Sequence, residues 1–389
     1  MTTAPTTTPD VQPRAGTTTG GVRLFTRAPI TQDWLAHHAV PLWRRARDGG
    51  RRLAHLKRGW RYGPHVDVVV DGITPDELAA LARQADAGPP SSAEDAVTEA
   101  DYLPTARELG RLESVPPPYL PMRGHGDVQV LTVDDVGTGE PTLDELRLVC
   151  ASTLGAPLAA TLDDLAAHPG DTALATRRVA EVLAAMADTH TLGIGFGVFS
   201  LHSHAEGFFA WTRPTADVRP VFDRRFDGEA ELFRDVVRAR IDGGTDAVAT
   251  GWRNALGYNS GVVDAAVSRG TVTGALLDAV SGTGGAGAVS HLGPPGAAAQ
   301  GPTGAQPDTD FHRTVHAAGV EGGHGGWFTG YRLLVNLAYE QLPVLGVPPM
   351  QRYYTAYAVA RAVDDVLGST WRDRLAGPTA DLTQEADRG

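Results

Sequence analysis

The stretch GVFSLHSHAEGFFAW (197–211) gathers two histidines, a serine and a glutamate just ahead of three aromatics. Read as a helix, it makes His202 and Glu206 i,i+4 neighbours, a spacing that supports a hydrogen-bonded pair. His204 then stacks on Phe208 and faces a pocket, a placement that suits a general acid or base near neutral pH. A satisfied core histidine accounts for the same residues. His202 and His204 would share a face only on a strand, so a shared metal ion is not expected.

Two further stretches hold comparable groups. GWRNALGYNSG (251–261) sets Trp252, Arg253, Asn254 and Tyr258 within two turns. Trp252 can stack a planar ring, and Tyr258 or Asn254 can hydrogen-bond an amide, although core packing needs the same residue types. In HGGWFTGYRLLVNLAYEQ (324–341), a helix starting near Thr329 puts Tyr331, Val335 and Tyr339 in one stripe and Arg332 and Asn336 in a second. Tyrosines beside an arginine suit carbonyl activation and the stabilisation of developing negative charge, and they also suit plain packing. WRYGPHVDVVV (60–70) places Arg61 just before a strand and His65 on it, with Arg61 able to bind a carbonyl or carboxylate. No G-x-S-x-G, H-E-x-x-H, P-loop or kinase signature appears. GIGFG (193–197) lacks the full dinucleotide spacing and follows a helix, so its glycines are read as a tight turn.

The elements that must carry these groups are legible in part. HVDVVVDG (65–72) alternates as a strand, with Val66, Val68 and Val70 on one face and His65, Asp67 and Val69 on the other. TPDELAALARQA (74–85) has a Thr cap, Pro at the first helical position and an acidic first turn. DVQVLTVD (127–134) reads as a strand. Helices are expected over TLDELRLVCASTLGAPLAATL, over 175–193, over 198–211, over 231–242, over 274–281 and over the late pair 327–346 and 348–368, joined by LPVLGVPP. Strands early and helices late predict an α+β protein, sheets packed with helices and a helical C-terminal part. Residues 1–20 are Thr/Pro/Gly-rich and read as a disordered tail. Residues 282–310 read as a flexible Gly/Pro-rich insertion and 373–389 as a polar tail, leaving 21–372 as a single catalytic domain.

Bulk properties narrow the function. A formal charge of −12 over 389 residues argues against a nucleic-acid binder. WRRARDGGRRLAHLKRGWR (43–61) is a local basic exception, able to meet an acidic peptide or to form a solvated surface. The single cysteine, Cys150, excludes an intrachain disulfide framework and reads as a buried thiol. No run of 18 consecutive apolar residues occurs, and a cytoplasmic protein with no membrane contact is expected.

Taken together, GPHVDVVV, SHAEGFF and YRLLVNLAYEQLPVLGVPPMQRYYTAYAVARAV resemble the C-terminal elimination domain of class I lantibiotic dehydratases, a family that includes stand-alone thiopeptide-type proteins. The resemblance covers most of 21–372 and implies an elimination-domain-like fold. Within that family, the elimination branch is expected to carry a late-helix histidine in a pattern like H-x-x-x-N-R-L. Here Asn336 stands at that place in VNLAYEQL, and Glu340–Gln341 replaces N-R, which counts against glutamate elimination. The resemblance therefore implies the other branch, pyridine synthases. These join two dehydroalanines of an azole-bearing precursor by formal [4+2] aza-cycloaddition, then lose water and the leader peptide as an amide. No cofactor or metal is implied. The partners implied are a ribosomally made, dehydrated, leader-bearing peptide and upstream modification enzymes. Under this reading His204 and Tyr331 handle protons, while Ser203 and Arg61 orient amides. Trp252 and Tyr339 pack the azoles, and Asn336, His202, Glu206, Tyr258 and His65 line the substrate site. An elimination component of a split dehydratase and a non-catalytic leader-binding scaffold are the alternatives.

Overall fold

The computed structural model describes residues 17–89, 96–112, 115, 117–137, 140–213, 216–280, 309–318 and 326–376. Strands β1 (Thr18–Phe25), β2 (Ala54–Gly59), β3 (His65–Ile73) and β4 (Val128–Leu131) form one antiparallel sheet in the order β2-β3-β1-β4. β1 starts inside the stretch read as a disordered tail. Its TTGG opening hides the alternation that marks a strand, and packing explains the glycines. A Cβ at Gly21 would lie 2.8 Å from the Val68 carbonyl oxygen, and one at Gly20 3.0 Å from that of Leu131.

Strand alternation divides the sheet into two unlike faces. Val22, Leu24, Leu56, Val66, Val68 and Val70 point into the main core. There they meet Trp34, Leu35 and Trp43 of the helical run α1 (Gln32–Trp34), a π-helical turn (Leu35–Ala39) and α2 (Val40–Ala46). Leu78 and Leu81 of α3 (Pro75–Arg83) close the same layer. α3 starts as expected: Thr74 Oγ1 accepts from the Glu77 N–H at 3.3 Å, and Glu77 Oε2 accepts from the Thr74 N–H at 2.9 Å. The opposite face carries polar residues in register, with Arg23 opposite Asp67 and Asp67 opposite Lys57, and with Phe25 opposite His65 and His65 opposite Gly59.

The rest is helical: α4 (Glu99–Leu112), α5 (Val133–Val136), α6 (Pro141–Ala167), α7 (Thr172–Ala187), α8 (Ile194–Gly197), α9 (Phe199–Thr212), α10 (Arg219–Asp242), α11 (Ala247–Ser268), α12 (Gly274–Val280), α13 (Asp310–Ala317), α14 (Gly326–Tyr339), α15 (Pro349–Leu367) and α16 (Trp371–Ala376). The α+β class expected from the sequence is observed. α10 starts well before position 231, because Arg219 and Pro220 begin it and Phe222 and Phe226 bury one face. α14 starts at Gly326 rather than Thr329. Most of the expected insertion lies outside the described residues, and its last two residues, Thr309 and Asp310, cap and open α13. The expected polar tail begins within α16, and 377–389 lie outside the described residues.

α6 ties sheet to helices. Ser152 Oγ accepts from the Ala54 N–H at 3.0 Å, Trp43 Nε1–H donates to the Ala54 carbonyl at 2.8 Å, and a Cβ at Gly155 would meet the Trp43 ring at 2.7 Å. By length and hydropathy alone α6 would pass for a membrane span, but 61% of that window is buried inside the protein, as in a core helix. α15 is buried on nearly every side, so sheet residues and the late helices share one core.

Candidate functional site

Two polar regions flank α14. The first lies on α9, where Ser200, Ser203 and His204 share a face at i, i+3 and i+4. The His204 Nδ1–H donates to the Ser200 carbonyl at 2.8 Å, which leaves Nε2 as the unprotonated nitrogen. That nitrogen is buried and has no hydrogen-bond partner among the described residues. Burial drives the pKa of the ring down to about 4, so His204 is neutral. The ring stacks on Tyr339 at 4.4 Å rather than on Phe208, which is drawn instead onto Tyr353 at 4.2 Å. The Tyr339 hydroxyl is likewise buried without a partner among the described residues.

Tyr331, one end of the same α14 stripe, is half-buried. Its hydroxyl donates to the Gly197 carbonyl at 2.8 Å and sits 3.3 Å from Ser200 Oγ. Burial pushes its pKa well up. With Thr189, His190, Thr191, Ser260 and Asp264 it lines a shallow cleft. Ser203 Oγ is 2.9 Å from His312 Nε2 on α13, a histidine that sequence reasoning did not single out.

The His202–Glu206 pair does not form. His202 turns inward, with Nε2 3.5 Å from Asp364 on α15, while Glu206 takes Arg219 Nη2 on both oxygens at 2.7 Å. On a helix packed on two sides, a tertiary partner on each side wins over the exposed i,i+4 geometry. Trp252 is fully buried between α11 and α6, with its Nε1–H donating to Thr161 Oγ1 at 2.9 Å, so it belongs to the core. Tyr258 is exposed on α11, and Arg61 is exposed at the β2–β3 turn, beside the Tyr62 ring. Neither is brought to the α9 cluster. Asn336 is buried on α14. Cys150 is buried, and burial pushes its thiol up to about 12.

The second region is the polar face of the sheet, and sequence reasoning missed most of it. Arg23 Nε and Nη2 grip Asp67 Oδ1 and Oδ2 at 2.7 and 2.8 Å. Burial alone would push the Asp67 carboxyl up, but Arg23, with His65 and Lys57, more than offsets it and the net shift is downward. His65 hydrogen-bonds the Gly63 carbonyl at 2.9 Å, its Nε2 lies 3.9 Å from Asp67, and burial lowers it to about 4. Arg147 of α6 reaches across to Glu340, just past α14, at 2.9–3.0 Å.

Between these two satisfied pairs lie groups with unspent capacity. Lys57 has no carboxylate within ion-pair distance among the described residues, and burial followed by the nearby Arg147 lowers its pKa. His55 Nδ1 and Glu340 Oε1 are buried without partners among the described residues. Burial, Arg147 and Lys57 together depress His55 to about 3, so it too is neutral. A half-buried lysine with a lowered pKa, near an orphan carboxylate oxygen and an orphan imidazole nitrogen, is equipped for proton transfer and for holding a developing oxyanion. Perturbed groups gathered by a fold in this way mark a functional-site candidate. The sequence signal was an Arg, a Lys, an Asp and two His residues at the in-phase positions of otherwise apolar strands. Among the described residues, no three His, Cys, Asp or Glu side chains gather closely enough to hold a metal ion.

The fold belongs to a known α+β class, a four-stranded antiparallel sheet packed on a long helical C-terminal region. It is similar to that of the pyridine synthase TbtD from thiomuracin biosynthesis, with a TM-score of 0.63 at 19% identity, covering 90% of this chain and 99% of that one. It is also similar to TsrL, with a TM-score of 0.60 at 17% identity, covering 92% and 97%. No protein-family model matches the chain, and no curated protein matches it in sequence.

Proposed function

We propose that this chain is a pyridine synthase. It joins two dehydroalanines of a leader-bearing, azole-containing peptide by a formal [4+2] aza-cycloaddition, then expels water and the leader as an amide. Likeness to a pyridine synthase over 99% of that protein's length supports the class of reaction. Fold alone does not fix function. The observation that carries the reading is Lys57, a cation without an ion pair among the described residues, within electrostatic reach of Glu340 and His55 on the polar face of the sheet.

The first step needs an amide to reach its imidic-acid tautomer. Lys57 donates to the amide oxygen while Glu340 Oε1 accepts the amide proton, so the pair moves one proton from nitrogen to oxygen with no net charge change. The resulting azadiene meets the second alkene, and two carbon–carbon bonds close a six-membered ring. Holding both alkenes in contact supplies the proximity advantage. The former amide oxygen leaves as water, and the nitrogen on the second unit leaves with the leader as a carboxamide. The balance closes without oxidant or reductant.

In this reading His204 and Tyr331 support the site rather than touch the reacting atoms: the Tyr331 hydroxyl is bonded to the Gly197 carbonyl, and His204 is tied through Nδ1 to Ser200 and stacked on Tyr339. The basic stretch 43–61 keeps Arg45 and Arg51 exposed on the outer surface, where they suit an acidic leader. Mass spectrometry of a doubly dehydrated, azole-containing peptide before and after adding the protein tests the reading. The expected products are the intact leader amide and a smaller macrocyclic pyridine. An unchanged mass sinks it, and release of free glutamate from a glutamylated peptide would instead establish the elimination reading, which an unpaired lysine also suits.

A further inference from the structure

Several serine and threonine hydroxyls inside these helices bond back to the preceding turn. Ser200 donates to the Gly197 carbonyl at 2.9 Å, Thr153 to Val149 at 2.9 Å, Thr161 to Pro157 at 2.8 Å and Thr212 to Phe208 at 3.1 Å. This bond to the preceding turn is the default for a helical hydroxyl. Ser203 departs from it. Its oxygen is turned out to His312 Nε2 at 2.9 Å.

His312 is fixed independently of Ser203. Thr309, the α13 cap, has Oγ1 2.6 Å from His312 Nδ1 and also accepts the His312 N–H at 3.2 Å. Phe311 and Val315 anchor α13 against Phe199, and Trp371 packs edge-on against Phe311. The ring is almost fully buried, so both nitrogens are committed and the imidazole has one orientation. A serine oxygen can donate one hydrogen bond and accept two. His312 uses one of these, and Ser203 is half-buried with the remainder unspent.

We propose that His312, braced by Thr309, is a positioning residue that holds the Ser203 hydroxyl off its own helix so that it hydrogen-bonds a backbone amide of the bound peptide. The proposal rests on the reading that the substrate is a peptide. It assigns Ser203 a binding role, remote from the proton transfers at Lys57. A hydroxyl preset by a rigid partner loses little rotational freedom on binding, which is what makes one hydrogen bond worth having in a long ligand.

The test is a double-mutant cycle in the full chain, using the doubly dehydrated azole peptide. S203A and H312A should each raise KM about five- to tenfold with kcat within about twofold, the pattern of lost uniform binding. S203A/H312A should be no worse than S203A, because His312 acts only through Ser203. H312Q, which keeps an amide group near the Nε2 position, should recover most of the loss. Additive effects, or a KM unmoved by S203A, overturn the proposal. Should the wild type bind the peptide without converting it, the pyridine-synthase reading fails and the same cycle is read in Kd by calorimetry. A wild type that neither binds nor converts it overturns both.

Discussion

The polar face of the sheet and the α9–α13–α14 cluster hold similar numbers of chemically able side chains, yet they differ in what is left over. In the cluster most groups are bonded, the exceptions among the described residues being His204 Nε2 and the Tyr339 hydroxyl. Tyr331 is bonded to Gly197, His204 Nδ1 to Ser200, and His312 at both nitrogens. On the sheet face two ion pairs are satisfied, while a third cation, an imidazole nitrogen and a carboxylate oxygen near it have no partner among the described residues. Burying polar groups unsatisfied costs free energy, so a fold keeps them only where something else repays it. Residue type points to the cluster, and the cation without an ion pair points to the sheet.

The sharpest way to break this comparison is K57M. Loss of the unpaired cation should lower kcat about 10²- to 10⁴-fold, while the thermal midpoint stays level or rises because a half-buried, unpaired charge is gone. A fully active K57M would return the chemistry to the helical cluster. D67N is next. It leaves Arg23 gripping a neutral amide and should cost about 3 kcal/mol of stability, seen as a lower urea midpoint at unchanged slope. An unchanged midpoint would mean that the pair is held open by solvent.

Acidification probes both regions together. Folded His55 sits at about 3, and His65, His190 and His204 each at about 4, against an ordinary value of 6.5. Between those values the unfolded chain binds more protons, so stability rises with pH and is lost as pH falls from about 6.5 towards 4. The midpoint should drop by about 10 °C over that span, and H65Q and H204Q should each make the drop shallower. A midpoint flat across the window contradicts the buried, neutral assignment. The smallest effect is expected from Y331F, about 1 kcal/mol of stability from the lost bond to Gly197 with kcat within a few-fold. A loss approaching that of K57M would place Tyr331 at the reacting atoms.

Legibility followed range. β3, the capped α3, α9 and the late helix pair were readable because their signals are local: a period of two, a Thr-Pro-Asp-Glu start, a glycine stop, a Gly/Pro turn. β1 was not, since its glycines answer to neighbours brought in by folding. The site divides in the same way. His204 and Tyr331 drew attention by type, and both prove to be on facing helices. Lys57 and Glu340 come from opposite ends of the chain, and no spacing rule links them. The available clue was Arg23, Lys57 and Asp67, charges that alternate with the core-facing residues of their strands. The pairing of His202 with Asp364 rather than Glu206 depended on how α15 packs, which no helical wheel contains.

Gly59 carries a consequence of another kind. A Cβ there would stand 2.2 Å from His65 Nε2, and that ring has nowhere to go, being buried and tied to Gly63. The order in which the two positions can change over generations is therefore constrained. Alanine at 59 is barred while histidine stands at 65, whereas a smaller residue at 65 would make 59 free to vary. Homologues that keep a histidine at the one should keep a glycine at the other, and lineages that lose the pair should have lost the histidine first.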